Sequence, residues 1–215
     1  MSGIDLSLYL ILDPDLCGVR GMAETARAAV AGGVTAVQLR HKTASTDDRV
    51  AAGRALKAAL AGTGVPLIVN DDVDAACALS AEGLADGLHV GQDDLPPVEA
   101  RARIGRGMVL GLSVETVDAA KAVDAEMVDY VGVGPVFATG TKPDHKPPSG
   151  FDGLAQLVAA SPVPAVAIGG LKARHAAQVA ATGAAGMAVI SAICGAPDPR
   201  TAARDIAAAL RKART

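Results

Sequence analysis

One unit recurs about eight times along this chain: a short apolar run, a polar or glycine-containing turn, then an alanine-rich stretch of helical period. The runs are Leu8 to Leu12, Ala36 to Leu39, Leu67 to Val69, Leu88 to Val90, Val109 to Leu112, Tyr130 to Val133, Ala165 to Ile168 and Gly186 to Ile190. Strand and helix signals that alternate in this way imply a parallel sheet, because each helix returns the chain to start the next strand in the same direction. Eight units suit a closed barrel, whereas five or six would suit a doubly wound open sheet, the competing architecture. At 215 residues the chain is shorter than the roughly 250 usual for such a barrel, yet above the lower bound of about 200. The expectation is an α/β protein, a single-domain (β/α)8 TIM barrel over residues 1–215, with 1–7 as an N-terminal extension.

In a parallel barrel all strands point one way, so residues that end the runs converge on the face where such folds keep their active sites. Those residues are unusual here. They include Asp13, the Gln38 to Arg40 segment, Asn70-Asp71, Gln92-Asp93-Asp94, Ser113, the Thr139 to Lys142 loop, Gly169-Gly170 and Ser191.

Composition narrows what that face can do. The apolar share is 50% against 20% charged, enough for a core of this size without disulfides or a structural metal. Tyr9, Tyr130, Phe137 and Phe151 are the only aromatics, so the stacking platforms of single-strand nucleic-acid binders are missing. Lys plus Arg (20) against Asp plus Glu (23) gives −3, which offers no general attraction to nucleic acid or to an anionic membrane. Cys17, Cys77 and Cys194 are odd in number and widely spaced, and read as reduced thiols. Met1 to Ser7 lack a basic n-region, and no apolar run approaches the roughly 18 residues of a span. A cytoplasmic protein with no nucleic-acid or membrane partner is expected; homo-oligomerisation is left open.

Strand alternation puts Gln38 and Arg40 on one face, with Leu39 opposite and Lys42 following into the loop. An amide, a guanidinium fork and a mobile ammonium within five residues suit a diphosphate, although the segment alone reads equally as a solvated basic strand end. The next two tips carry Asn70-Asp71-Asp72 and Gln92-Asp93-Asp94. Neighbouring strands lie about 4.8 Å apart and Mg²⁺ holds oxygens at about 2.1 Å, so one ion can join a carboxylate from each tip. Asp71 and Asp94 are the expected ligands, while Asp72 and Asp93 read as helix N-caps.

Gly169-Gly170 and Ile190-Ser191 end the seventh and eighth runs, where barrels often bind phosphate through backbone N–H groups and a short extra helix. Ser191 to Cys194 is the expected helix. The stretch from Phe137 to Gly153 has no periodic run and reads as a functional loop carrying Thr139, Gly140, Thr141, Lys142, His145 and Lys146. Nucleophile-elbow, Walker, Cys-x-x-Cys and His-Glu-x-x-His patterns are all missing, which weakens hydrolase, kinase and zinc readings. His89, inside a strand, reads as structural; His41 and His145 fall in loops near the site, and His175 on a helix.

Gln38-Leu39-Arg40-His41-Lys42, Val69 to Asp72, Leu88 to Asp94, Gly132 to Phe137 with Thr139 to Lys142, and Ile168-Gly169-Gly170, taken in order, resemble the thiamine-phosphate synthase family. The likeness runs from about Tyr9 to the last helix. It implies a (β/α)8 barrel that uses Mg²⁺ and two small phosphorylated substrates. One is 4-amino-2-methyl-5-hydroxymethylpyrimidine diphosphate; the other is 4-methyl-5-(2-phosphooxyethyl)thiazole. It further implies that Gln38, Arg40, Lys42, Asn70, Ser113 and Lys142 bind the pyrimidine diphosphate, with Arg40, Lys42, Ser113 and Lys142 catalytic. Asp71 and Asp94 would hold Mg²⁺, and Thr139, Gly140, Thr141, Gly170, Ile190 and Ser191 the thiazole phosphate. His41 departs from the family pattern, which usually has an acidic residue there. A thiazole tautomerase-like barrel and a non-catalytic binder of the same phosphates are the alternatives.

Overall fold

Alternate residues along each strand face two different interiors, and that division organises the molecule. The computed structural model describes residues 4–140 and 147–214. Eight parallel strands, β1 (Leu8–Leu12), β2 (Ala36–Leu39), β3 (Leu67–Asn70), β4 (Gly87–Val90), β5 (Val109–Val114), β6 (Tyr130–Val133), β7 (Ala165–Ile168) and β8 (Gly186–Val189), pair in sequence order. The ring closes where Leu8, Tyr9 and Leu10 pair with Met187, Ala188 and Val189. The fold is therefore the TIM barrel, and the open sheet is excluded.

Tyr9, Ile11, Ala36, Ile68, Tyr130, Val166 and Ala188 pack inside the barrel, closed from below by Leu6. Leu8, Leu10, Leu12, Leu39, Val69, Leu88, Val90, Val131 and Val133 point outward, into a second layer shared with the helices. The outer layer is aliphatic, and burying a side chain of this kind is worth about 1.5–3 kcal/mol; the inner layer adds the two tyrosines Tyr9 and Tyr130. Residues 4–7 are part of this packing: Leu6 is buried and the Ser7 carbonyl accepts from Met187 N at 3.2 Å.

Ten helices are described: α1 (Pro14–Cys17), α2 (Gly21–Ala31), α3 (Thr46–Ala59), α4 (Val73–Ala81), α5 (Pro97–Ile104), α6 (Val117–Lys121), α7 (Gly150–Ala160), α8 (Ala176–Ala181), α9 (Ser191–Cys194) and α10 (Pro199–Arg214). Their starts follow from capping chemistry. Ser45, Asp72 and Thr116 each accept a backbone N–H of the first turn of α3, α4 and α6. Asp198 accepts from Arg200 N and Thr201 N at 3.0 and 3.1 Å, with Pro199 as the first helical residue of α10. Buried Ala203, Ile206, Ala207 and Leu210 seat that helix. None of the helices described is long and apolar enough to cross a membrane.

Several boundaries differ from the sequence expectation. β5 continues to Val114, so Ser113 lies within a strand, opposite Gly132, instead of just beyond one. β8 stops at Val189, because Ile190 turns to become the residue before α9. α7 begins at Gly150, which shortens the loop after β6. Asp93 caps no helix; Pro96 precedes α5 and proline at the first helical position does that work.

Candidate active site

A cavity of about 310 Å³ opens at the carboxyl ends of the strands. Its wall brings together Gln38, Arg40, Lys42, Asn70, Asp71, Asp94 and Ser113 on one side and Thr139, Gly170, Ile190 and Ser191 on the other. Gly140 is described but does not line it. Thr141, Lys142, His145 and Lys146 lie outside the described residues.

On the first side, Gln38 projects from β2 into the barrel and is buried. Arg40 follows two residues on, its backbone N–H bonded to Leu12 O at 3.1 Å and its Nη1 to Asp13 Oδ2 at 2.8 Å. Asp13 is itself fixed, since its other oxygen accepts from Asp15 N and Leu16 N at the start of α1. Lys42 Nζ lies 2.7 Å from Asp71 Oδ2. The loop carrying Lys42 is pinned by Arg49 of α3, which donates to His41 O at 3.0 Å, Lys42 O at 3.1 Å and Asp72 Oδ2 at 2.8 Å. Burial opposes the Asp72 charge, but the Ala75 N–H, the Thr46 hydroxyl and Arg49 together hold that carboxyl below its usual range.

β3 ends in a tight turn at Asp71, whose φ of 63° is the only positive value for a non-glycine among the described residues. Aspartate tolerates this region better than most side chains, and the turn aims its carboxylate across to the next tip. There Asp94 Oδ2 accepts from Gly91 N at 2.6 Å. Burial raises the Asp94 carboxyl above its ordinary value and the neighbouring Asp71 carboxylate adds to the effect, against the Gly91 N–H and Lys42. A buried carboxyl whose ionisation is opposed by a neighbouring carboxylate suits a cation placed between the two. Among the described residues no cluster of three or more His, Cys, Asp or Glu stands ready for an ion. A cation here would take two carboxylates from the protein and its remaining oxygens from substrate and water, as Mg²⁺ commonly does.

The second side is mostly backbone. Gly169 and Gly170 have φ of 104° and 65°, and a Cβ on Gly170 would stand 2.8 Å from Phe137 Cβ. Only glycine fits this close approach. It lets the segment after β6 lie along the end of β7, with Val136 N bonded to Ile168 O at 2.9 Å and Phe137 N to Gly169 O at 3.1 Å. Thr139 is thereby brought to the cavity wall, which Ser191, the first residue of the short helix α9, also lines.

The sequence places Asp13 among the strand-end residues without a role and reads His89 as structural, and it gives no sign of the parts played by Arg49, Tyr9 and Tyr130. His89 is buried as expected of a structural histidine, yet it also lines the cavity and contacts Ser113. The signal was there in strand parity, since His89 alternates with Leu88 and Val90 and so must face the barrel interior. No local pattern marks Arg49, whose role depends on a helix folding back over the β2 loop.

A closed parallel barrel with a polar cavity at the carboxyl ends of its strands defines the class: this is a TIM-barrel enzyme. The family described as "Thiamine monophosphate synthase" matches residues 8–193. Thiamine-phosphate synthase of Xanthobacter autotrophicus is 49% identical over 210 residues, covering 98% of each chain. That of Azorhizobium caulinodans is 48% identical over 202 residues, covering 94% of this chain and 93% of its own. Thiamine phosphate pyrophosphorylase from Pyrococcus furiosus superposes with a TM-score of 0.86 at 33% identity, covering 98% of each chain. The chain belongs to the thiamine-phosphate synthase family.

Proposed function

We propose that this chain joins 4-amino-2-methyl-5-hydroxymethylpyrimidine diphosphate to 4-methyl-5-(2-phosphooxyethyl)thiazole, giving thiamine phosphate and diphosphate. The observation that carries the reading is the presence of two unlike anion stations on one cavity: Arg40, Lys42, Asp71 and Asp94 on one wall, Gly170 and Ser191 on the other. A diphosphate suits the first, where a guanidinium, an ammonium and a carboxylate pair converge. A monophosphate suits the second, where backbone N–H groups dominate.

Arg40, braced by Asp13, and Lys42 bind and orient the diphosphate, with Asn70 and Ser113 supplying neutral hydrogen bonds and Gln38 meeting the pyrimidine. The bond from the pyrimidine methylene carbon to the diphosphate oxygen breaks, and its electron pair leaves with the diphosphate. The resulting cation is stabilised by the aminopyrimidine ring, and the thiazole nitrogen supplies the pair for the new C–N bond. No strong general base is required, which agrees with a wall rich in cations and poor in activated nucleophiles. Mg²⁺, held by Asp71 and Asp94, would neutralise charge on the leaving diphosphate when bound. Fixed geometry and leaving-group stabilisation are each able to supply several kcal/mol. Lys142, Thr141 and Gly140 are assigned to the same substrates by resemblance.

We take the three cysteines, all free thiols, to favour the cytoplasm, and small molecules as the only partners the site addresses. A thiazole tautomerase-like barrel fits less well, because it would not need the Asp71 and Asp94 pair, and a non-catalytic binder of the same phosphates would release no diphosphate when both substrates are mixed. The test is an endpoint assay for thiamine phosphate from the two purified substrates, with and without Mg²⁺. Product that depends on the metal is the expected result; its absence in both arms would remove the reading.

A further inference from the structure

Five buried or half-buried side chains form one unbroken run of hydrogen bonds across the barrel beneath the cavity. Gln38 Nε2 donates to Tyr9 Oη at 2.8 Å; Tyr9 Oη and Tyr130 Oη lie 2.9 Å apart; Tyr130 Oη is 2.9 Å from His89 Nδ1; His89 Nε2 is 3.0 Å from Ser113 Oγ. Strands β2, β1, β6, β4 and β5 each contribute one member. The run begins and ends on residues of the cavity wall, Gln38 and Ser113. Space for it is made by glycine: a Cβ on Gly111 would stand 2.3 Å from Tyr130 Cζ and 2.4 Å from His89 Nδ1.

Proton counting makes this run directional. Each tyrosine hydroxyl carries one proton, and burial raises both above the ordinary phenol value, so both stay neutral. His89 is buried between two hydroxyl groups, and with Gln38 donating to Tyr9 the Tyr130 hydroxyl donates its proton to His89 Nδ1, so the ring carries a single N–H. Each interior member therefore donates at one link and accepts at the other. Two polarities satisfy all the links. In one, donation runs from the Gln38 amide through Tyr9, Tyr130 and His89 to Ser113, which keeps its own hydroxyl proton for the cavity. In the other, Ser113 donates to His89 and every link reverses, so that Tyr9 donates to the Gln38 carbonyl oxygen. The donation by Gln38 Nε2 to Tyr9 selects the first.

We propose that Tyr9, Tyr130 and His89 are positioning residues for the reaction, locking Ser113 as a hydroxyl donor and Gln38 as an amide-oxygen acceptor toward the pyrimidine diphosphate. The acceptor at Gln38 meets an N–H of the aminopyrimidine, and the donor at Ser113 meets a lone pair or anionic oxygen. A substrate lacking that N–H would leave a buried acceptor unpaired, which is how such sites reject analogues. The proposal rests on the reading given under Proposed function, because it takes the pyrimidine diphosphate as the substrate.

Two measurements test it. The ¹⁵N resonances of His89 in the wild-type protein should show the Nε2–H tautomer, with Nδ1 accepting; an Nδ1–H tautomer overturns the polarity, and this needs no variant to fold. Tyr9→Phe and Tyr130→Phe should each lower kcat/KM for the pyrimidine diphosphate about tenfold, the effect of one lost buried hydrogen bond, with KM for the thiazole phosphate unchanged. The double variant should be no worse than the weaker single one, because either change breaks the same run. Wild-type kcat/KM in both single variants, or losses that multiply in the double, would refute the inference. Wild-type protein that makes no thiamine phosphate would instead defeat the proposed reaction, and leave the tautomer result to judge the run by itself.

Discussion

Lys42 and Asp71 meet across the tips of two neighbouring strands, Nζ to Oδ2 at 2.7 Å, although they stand 29 residues apart in the chain. The ammonium is half-exposed and so adds little stability. Its consequence is positional: the ammonium stands beside the carboxylate pair, where the proposed diphosphate would meet it. Asp71→Asn keeps the shape and removes the charge. Steady-state kinetics should show kcat reduced by about a hundredfold, corresponding to about 2.7 kcal/mol of lost charge stabilisation. The Mg²⁺ concentration for half activity should rise, while KM for the thiazole phosphate stays within about twofold of wild type.

Arg49 reaches the same loop from behind. Its guanidinium joins two loop carbonyls to the Asp72 carboxylate, and both ionic partners are mostly buried. Arg49→Ala should raise KM for the pyrimidine diphosphate about tenfold and lower unfolding free energy by about 1.5–3 kcal/mol, the range for hydrogen bonds to charged groups. Arg49→Lys should rescue neither, because an ammonium cannot span three acceptors set for a planar fork. Urea titration and substrate titration of the two variants check both halves.

Gly170→Ala perturbs the opposite wall. At φ 65° an alanine is strained, and its Cβ would press on Phe137 Cβ at 2.8 Å. A loss of about 1–3 kcal/mol of stability is expected. KM for the thiazole phosphate should rise about tenfold as the backbone donors shift, with the pyrimidine diphosphate unaffected. Ser191→Ala should share that selectivity without the loss of stability, and thermal melts separate the two.

Acid should weaken the fold through His89. Its folded value is pushed down to about 4 by burial, with Asp94 working weakly the other way. An exposed imidazole in the unfolded chain titrates near 6.5. Between these values the unfolded chain binds the extra proton, so stability is full above about pH 6.5 and falls as pH drops toward 4. The loss at pH 5 is about 2 kcal/mol. Chemical unfolding at pH 7 and pH 5 measures it, and a His89→Asn variant should lose that part of the pH dependence.

The barrel was legible because its signal is periodic: runs of alternating parity separated by helix-length intervals leave little choice of architecture, and the order β1 to β8 follows the chain. The residues at the strand tips were legible for the same reason. Parity puts Gln38 and Arg40 on one face, and Leu39 packs outward. What escaped was whatever depends on contact between distant segments. Arg49 looks like any helical arginine until α3 lies over the β2 loop. Tyr9 and Tyr130 look like core aromatics until the barrel closes and their hydroxyls meet, with Gly111 leaving the room. Asp93 reads in the sequence as a cap beside a metal ligand, whereas the chain uses Pro96 and Pro97 to start α5.

The central claim is that one cavity grips a diphosphate and a monophosphate at once and passes the pyrimidine from one to the other. Phosphorus NMR of a single reaction containing both substrates, Mg²⁺ and the protein tests it most directly. The account predicts that the pyrimidine diphosphate and thiazole phosphate signals fall together while free diphosphate and thiamine phosphate grow in equal amounts. Release of inorganic phosphate from either substrate, or a spectrum that does not change, would contradict it.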